Sequence, residues 1–369
     1  MASKMRSPNF ASTISARGRE YADKHRYFSA HWRAHLERSK EAILQGAAQV
    51  EKGSVVVLGA GDGKDIPVTE LLKQFKQVRL LDIDTQSMDR LVQSLPGPQR
   101  ARVEVISFDL TAGAIQALTG KAGSIIEGAG TARQAYRQLG ELYQNLPIED
   151  VPETLTRGIQ SDYVVSSVVA SQLLPFPVKW IEEAFQEKFN QKLSQVHSEL
   201  YATAKLALCR RLLAQHARLL SSLTPGGLIY WSCDVRQELV MGKLSAPDTQ
   251  QLGERMTQYL ASLDWSALLP DLAVAPDAGG EFTAWLTSII GKQVLPAALE
   301  LQVIEKMVTF AQSIDAGANN DLIGGELSQY FDACLEPVGE KQSWLWHLDP
   351  RHFYRGGVHR VEAWLLRAK

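Results

Sequence analysis

Glycines and carboxylates at the ends of apolar runs are the residues of this chain best placed to do chemistry. Gly59-Ala60-Gly61-Asp62-Gly63 follows the apolar run Val55-Val56-Val57-Leu58. Glycines there let a backbone bend sharply and let a ligand approach without meeting a side chain. The next helix would offer unpaired N–H groups to an anionic group such as a carboxylate. Two later runs end in acids, Leu80-Leu81-Asp82-Ile83-Asp84 and Ile106-Ser107-Phe108-Asp109-Leu110. A carboxylate at a strand end can accept two hydrogen bonds from a ribose diol, a charge-assisted and geometrically selective pairing. It can equally cap the following helix. Asp82 is the first candidate for the diol. Asp84 points to the same side of an extended chain and is the reserve. Three sites in order, each at the carboxyl end of a successive strand, carry more weight than any one alone, because ligands bind along that edge.

Three ligand classes compete for the glycine turn. A P-loop requires GxxxxGK followed by Ser or Thr, but Gly59 to Lys64 is one residue too short and Asp65 follows. The dinucleotide pattern GxGxxG meets Lys64 at its last glycine, and Asp62 and Asp65 would stand close to phosphates. S-adenosylmethionine (SAM) carries no phosphate. Acids in the turn are then tolerable and can face its ammonium or sulfonium charge.

The elements that must position these residues follow from periodicity. Strands are expected at Ser54 to Gly59, Val78 to Ile83, Arg102 to Phe108, Asp162 to Val169 and Leu228 to Cys233, separated by helices. That alternation predicts a parallel sheet with right-handed crossovers. Residues 1–20 read as a flexible tail and 21–50 as an N-terminal helical cap. A Rossmann-like core is expected over 51–236, with a helical insertion near 111–161. A second helical insertion is expected over 237–340, and a C-terminal strand pair over 341–369 completes the sheet. The fold class is therefore α/β: seven strands, mostly parallel, with an antiparallel terminal hairpin. The insertions would supply the pocket for a second substrate, as loops on this edge often do. On the N-terminal helix, Tyr27, His31 and His35 with Trp32 suit a lid over a ligand. A packing helix with exposed histidines is the favoured alternative. The three are weak catalytic candidates.

Val55-Val56-Val57-Leu58-Gly59-Ala60-Gly61-Asp62-Gly63 resembles the first motif of the class I SAM-dependent methyltransferases, with Val57 where an acid often stands. The resemblance spans about 55–172 and 225–234. It implies that Gly59, Ala60, Gly61, Asp62 and Gly63 hold the cofactor, that Asp82 with Ile83 meets the ribose, and that Asp109 with Leu110 meets the adenine. The run Asp162 to Gln172 is similar to the family's fourth-strand motif. Ser166, Ser167 and Gln172 there resemble the small polar residues of small-molecule methyltransferases, and Ser166 joins the expected cofactor set. The Asn-Pro-Pro-Tyr motif of amide- and base-modifying relatives is absent from this run.

Composition narrows the partners. Lys and Arg number 39 against 41 Asp and Glu, a formal net charge of -2, so no broad nucleic-acid surface is expected. Cys209, Cys233 and Cys334 are far apart and form no CxxC pair, which fits a reducing, cytoplasmic setting and no structural metal. No apolar run approaches the roughly 18 residues of a membrane span. The expectation is methyl transfer from SAM to a small or medium-sized acceptor. Enzymes that cleave or cyclise SAM, and a non-catalytic SAM-binding regulator, are the alternatives. A nicotinamide-dependent oxidoreductase comes last.

Overall fold

The structure is a computed structural model of the chain, and it describes residues 10–51, 53–196, 198–237, 322–331, 334–348 and 358–369. In order come α1 (Phe10–Ala47), β1 (Ser54–Leu58), α2 (Val68–Gln74), β2 (Gln77–Asp82), α3 (Thr85–Ser94), α4 (Gly97–Arg100) and β3 (Val103–Ser107). They are followed by α5 (Ala114–Gly128), α6 (Ala132–Asn145), α7 (Glu153–Thr156), β4 (Tyr163–Ser167), α8 (Pro175–Phe189), α9 (Leu193–Val196) and α10 (Ser198–Leu223). The last described elements are β5 (Leu228–Gln237), β6 (Leu335–Pro337), β7 (Gln342–His347) and β8 (Val358–Ala368).

The strands form an 8-stranded sheet in the order β3-β2-β1-β4-β5-β8-β6, with β7 also paired to β8. β1 runs parallel to β2 and β4, β2 to β3, and β4 to β5. β6 runs antiparallel to β8, from Leu335↔Ala368 to Pro337↔Leu366. Mixed α/β architecture with a mostly parallel sheet is thus as expected. The terminal pair differs in one detail: the place of a single partner for β8 is divided between β6 and β7. β6 was not expected because three residues ending in Pro337 carry too little pattern to read.

Alternation along the strands separates two cores. Val56, Leu58, Val164, Ile229 and Trp231 join the apolar cluster built with α5, α6, α8 and α10. Val55, Val57, Tyr163 and Tyr230, also buried, point to the opposite face, where Tyr163 donates to the Ile43 carbonyl of α1 (2.9 Å). Helices on both faces explain why the strands read as unbroken apolar runs. Each fully buried Val or Leu contributes about 1.5–3 kcal/mol.

α1 begins at Phe10, inside the segment expected to be a tail, and its helical geometry is interrupted at Phe28 (φ -116°, ψ 22°). No helix among the described residues is long and apolar enough to cross a membrane. The chain divides into two compact units. The first comprises Met1–Val235, Leu322–Trp344 and Val361–Lys369; the second comprises Arg236–Asp321 and Leu345–Arg360. The expected helical insertion at 237–340 falls mostly in residues 238–321, outside the described residues.

Candidate functional site

The strand order reverses between β1 and β4: from β1 the chain moves outward to β2 and β3, then returns to β4 and β5. Crevices at such switch points, at the carboxyl ends of parallel strands, are where this architecture binds ligands. The glycine turn leaves β1 at that place.

Its three glycines all have left-handed backbone, with φ of 61° at Gly59, 47° at Gly61 and 68° at Gly63. They serve different ends. A Cβ on Gly59 would stand 2.2 Å from a Val169 methyl, and one on Gly63 would stand 2.5 Å from Leu91. Both glycines let neighbouring side chains pack onto bare backbone. Gly61 differs: among the described residues the nearest atom to a Cβ there is the Gly59 carbonyl oxygen, 4.0 Å away. Ala60 is buried, while Asp62 is exposed and ion-paired through Oδ2 to Lys64 Nζ at 2.7 Å.

Asp82, the last residue of β2, ties the turn to the sheet. Its Oδ2 accepts from the Gly61 N–H (3.0 Å) and its Oδ1 from the Asp84 N–H (2.9 Å). Burial raises its carboxyl above the ordinary range, and the Asp84 and Gly61 amides oppose that. Ile83, half-buried, is the next side chain along the edge. Asp84 is committed elsewhere: it is buried and caps α3, accepting from the Ser87 hydroxyl (2.6 Å) and the Ser87 N–H (3.4 Å).

Beyond β3, Asp109 organises its own loop. Oδ1 accepts from the Thr111 N–H (2.8 Å) and hydroxyl (2.7 Å), and Oδ2 from the Gly113 N–H (2.9 Å). Asp82 and Asp109 therefore lie at the same edge of the sheet, each at or just beyond the end of its strand, and β2 pairs β3 with Asp82 opposite Ser107. Leu110 and Phe108 are buried in the apolar cluster.

Ser166 is drawn inward. It is fully buried on β4, with Oγ 2.9 Å from His216 Nε2 of α10. Burial lowers the His216 pKa to about 4, so the imidazole is neutral at pH 7. On the opposite face, Ser167 Oγ lies 3.5 Å from Ser232 Oγ, and burial raises the Asp65 carboxyl above the usual carboxylate range, an effect that the nearby Ser167 hydroxyl opposes. Sequence pattern did not single out Ser167, Asp65 or His216 as one neighbourhood, because their proximity is created by strand pairing. Val168, just past β4, has φ 46°, an outlier for a β-branched residue. Its N–H donates to the Ser232 carbonyl (3.0 Å), and the Ser171 hydroxyl donates to its carbonyl (2.9 Å). Strain of this kind gathers at functional sites.

The three aromatic candidates on α1 separate. Tyr27 is 79% exposed. His35 is buried, and its Nδ1 accepts from the Trp344 indole of β7 at 2.9 Å. His35 thus belongs to packing, and the expectation of an exposed histidine does not apply to it. The side chain of His31 lies outside the described residues. His25, absent from the expected set, lies near the turn. Its pKa is lowered by burial first, then by Lys64, with Asp62 opposing.

No family model and no curated protein matches the chain. Solved structures do. One is a Pyrococcus horikoshii protein classed as an RNA methyltransferase, 10% identical, covering 90% of this chain and 83% of that one, with a TM-score of 0.33. Another is the Haemonchus contortus phosphoethanolamine N-methyltransferase 2, bound to phosphomonomethylethanolamine and S-adenosylhomocysteine. It is 13% identical, with 89% and 52% coverage and a TM-score of 0.30. A third is the glycopeptide N-methyltransferase MtfA bound to SAM, 16% identical, with 56% and 54% coverage and a TM-score of 0.26. This chain spans about half the length of the latter two. Identities and TM-scores of this size transfer no residue role and no substrate. By its own strand order and its glycine turn at the switch point, the chain has a Rossmann-like α/β fold with a mostly parallel sheet.

Proposed function

We propose that the chain binds SAM at the carboxyl edge of β1, β2 and β3 and transfers its methyl group to a small or medium-sized acceptor. The observation that carries this reading is Gly61, a left-handed residue with open space where a side chain would stand and an N–H fixed by Asp82. Bare backbone suits close approach by the amino-acid end of the ligand. Asp82 accepts the Gly61 N–H on one oxygen and the Asp84 N–H on the other, which leaves lone-pair capacity for a ribose diol. Ile83 offers an apolar surface for the adenosine. Asp109 has one oxygen with a single bond, which leaves capacity for an amino-group donor on the adenine. Asp62 and Asp65 in the turn disfavour a pyrophosphate and suit a cation.

SAM supplies an electrophilic methyl group, and the protein's part is to position an acceptor in line with it, where orientation provides much of the acceleration. Ser166 is bonded to His216 and is not proposed as a ligand to the cofactor.

Calorimetry with SAM, S-adenosylhomocysteine and NAD tests the ligand class. SAM and its demethylated product should bind and NAD should not. Asp82→Ala should weaken SAM by about 1.5–3 kcal/mol, the range for hydrogen bonds to a charged group. Unchanged affinity in a folded variant would remove Asp82 from the site. Incubation with SAM alone, followed by mass spectrometry, separates acceptor-dependent transfer from cleavage or cyclisation of the cofactor. Binding without turnover across a broad acceptor panel would favour the regulatory reading.

A further inference from the structure

The turn after β4 combines a strained residue with the bonds that hold it. Val168 has φ 46°, and a β-branched residue at positive φ persists only when its surroundings over-determine it. Serines grip its backbone on both sides. Its N–H is shared between the Ser232 carbonyl (3.0 Å) and the Ser232 hydroxyl (3.2 Å). Its carbonyl accepts from the Ser171 hydroxyl at 2.9 Å, and that hydroxyl accepts in turn from the Asp234 N–H of β5 (3.4 Å). Val168, Ser171 and Ser232 are all buried, where a hydrogen bond is stronger than in water.

The residue that follows explains what the strain achieves. Val169 lays its side chain on the bare backbone of Gly59, where a Cβ would stand 2.2 Å from a valine methyl. Gly59 opens the glycine turn, with its own φ at 61°. Its N–H donates to the Leu81 carbonyl of β2 (2.8 Å), and the Gly61 N–H donates to Asp82 (3.0 Å). The turn is therefore braced from β2 on one side and by Val169 on the other. A negative φ at residue 168 would redirect the chain and withdraw Val169 from Gly59.

We propose that Val168, clamped by Ser171 and Ser232, is a positioning residue for the glycine turn. Its left-handed backbone presses Val169 onto Gly59 and keeps the Gly59 and Gly61 amides in the arrangement that receives a ligand. Under the SAM reading, on which this inference rests, the loop after β4 and the cofactor turn form one unit.

The test removes the clamp and then removes the need for it. Ser171→Ala with Ser232→Ala deletes both hydroxyls, and adding Val168→Gly lets the backbone keep a positive φ without them. Two hydrogen bonds of ordinary strength shift the local equilibrium by about 30-fold. Calorimetry should find the double variant roughly 5- to 30-fold weaker for S-adenosylhomocysteine, following the competent population that remains. The triple variant should return to within about threefold of wild type. Hydrogen exchange reads the brace without any ligand. The Gly59 and Gly61 amides should exchange about 10-fold faster in the double variant and slow again in the triple, while β3 keeps its wild-type rates. Wild-type affinity and exchange in the double variant, or a loss that Val168→Gly does not reverse, overturns the proposal. Faster exchange throughout the sheet reduces the serines to ordinary packing and overturns it as well. A wild-type chain that fails to bind S-adenosylhomocysteine, with the exchange pattern intact, supports the brace and overturns the cofactor reading alone.

Discussion

Asp82 and Asp84 stand two residues apart on the same segment and carry different loads. Asp82 holds the Gly61 amide at 3.0 Å, whereas Asp84 is buried against Ser87 as the cap of α3. Asp84→Ala should therefore cost about 1 kcal/mol of stability, the usual loss of a helix cap. Urea denaturation would measure that, while calorimetry should find SAM affinity within twofold of wild type; a large affinity loss would exchange the roles of the two acids. His216 supplies a second test at this scale. Its pKa falls from 6.5 to about 4 on burial, so the folded state disfavours the proton that the unfolded chain accepts. The stability it preserves is complete above pH 6.5 and is lost progressively as pH falls toward 4. Between pH 7 and pH 5 the loss should be about 2 kcal/mol. His216→Gln should flatten that part of the stability profile, and an unchanged slope would assign the titration elsewhere.

At the scale of an element, the glycine turn divides into packed and open positions. Gly59→Ala must collide with Val169, at 2.2 Å, and strain a left-handed backbone. Overpacking of that kind typically costs 1–3 kcal/mol, on top of roughly 1 kcal/mol for the left-handed conformation. Gly61→Ala has only the second penalty, because its methyl enters open space. It should leave the thermal transition within a few degrees of wild type and weaken SAM strongly, since the methyl occupies the ligand's approach. If Gly61→Ala binds SAM normally, the ligand does not cross that backbone. Among helices, α1 is held by His35 on Trp344 and by Tyr163 on the Ile43 carbonyl, so its second half is a packing element. The break at Phe28 separates that half from the stretch carrying His25 and Tyr27.

For the whole molecule, the last strand is interior to the sheet. β8 lies between β5 and the pair formed by β6 and β7, and it buries Val361, Ala363 and Leu366. Its Ala368 N–H donates to the Gly227 carbonyl at the beginning of β5 (3.4 Å), and Glu362, 4% exposed, accepts from Lys341 and from the Leu327 N–H. A chain ending at residue 357 loses an 11-residue strand and exposes two sheet edges. It should show no cooperative thermal transition and should aggregate, and a sharp transition near the wild-type temperature would contradict this account of the sheet.

The order of strands and helices, the turn at Gly59 to Gly63 and the acids at the ends of β2 and β3 were all legible in the chain. They depend on local period and on which residues tolerate tight turns, both written in neighbouring positions. Tertiary structure decided the rest. Which glycine stays open depends on where Val169 and Leu91 arrive, from 110 and 28 residues downstream of Gly59 and Gly63. Whether Ser166 or Ser167 meets His216 depends on the face each takes in β4, and whether His35 is buried depends on a tryptophan 309 positions away. Contacts between distant segments leave no local pattern, since they exist only once the sheet has brought its strands side by side.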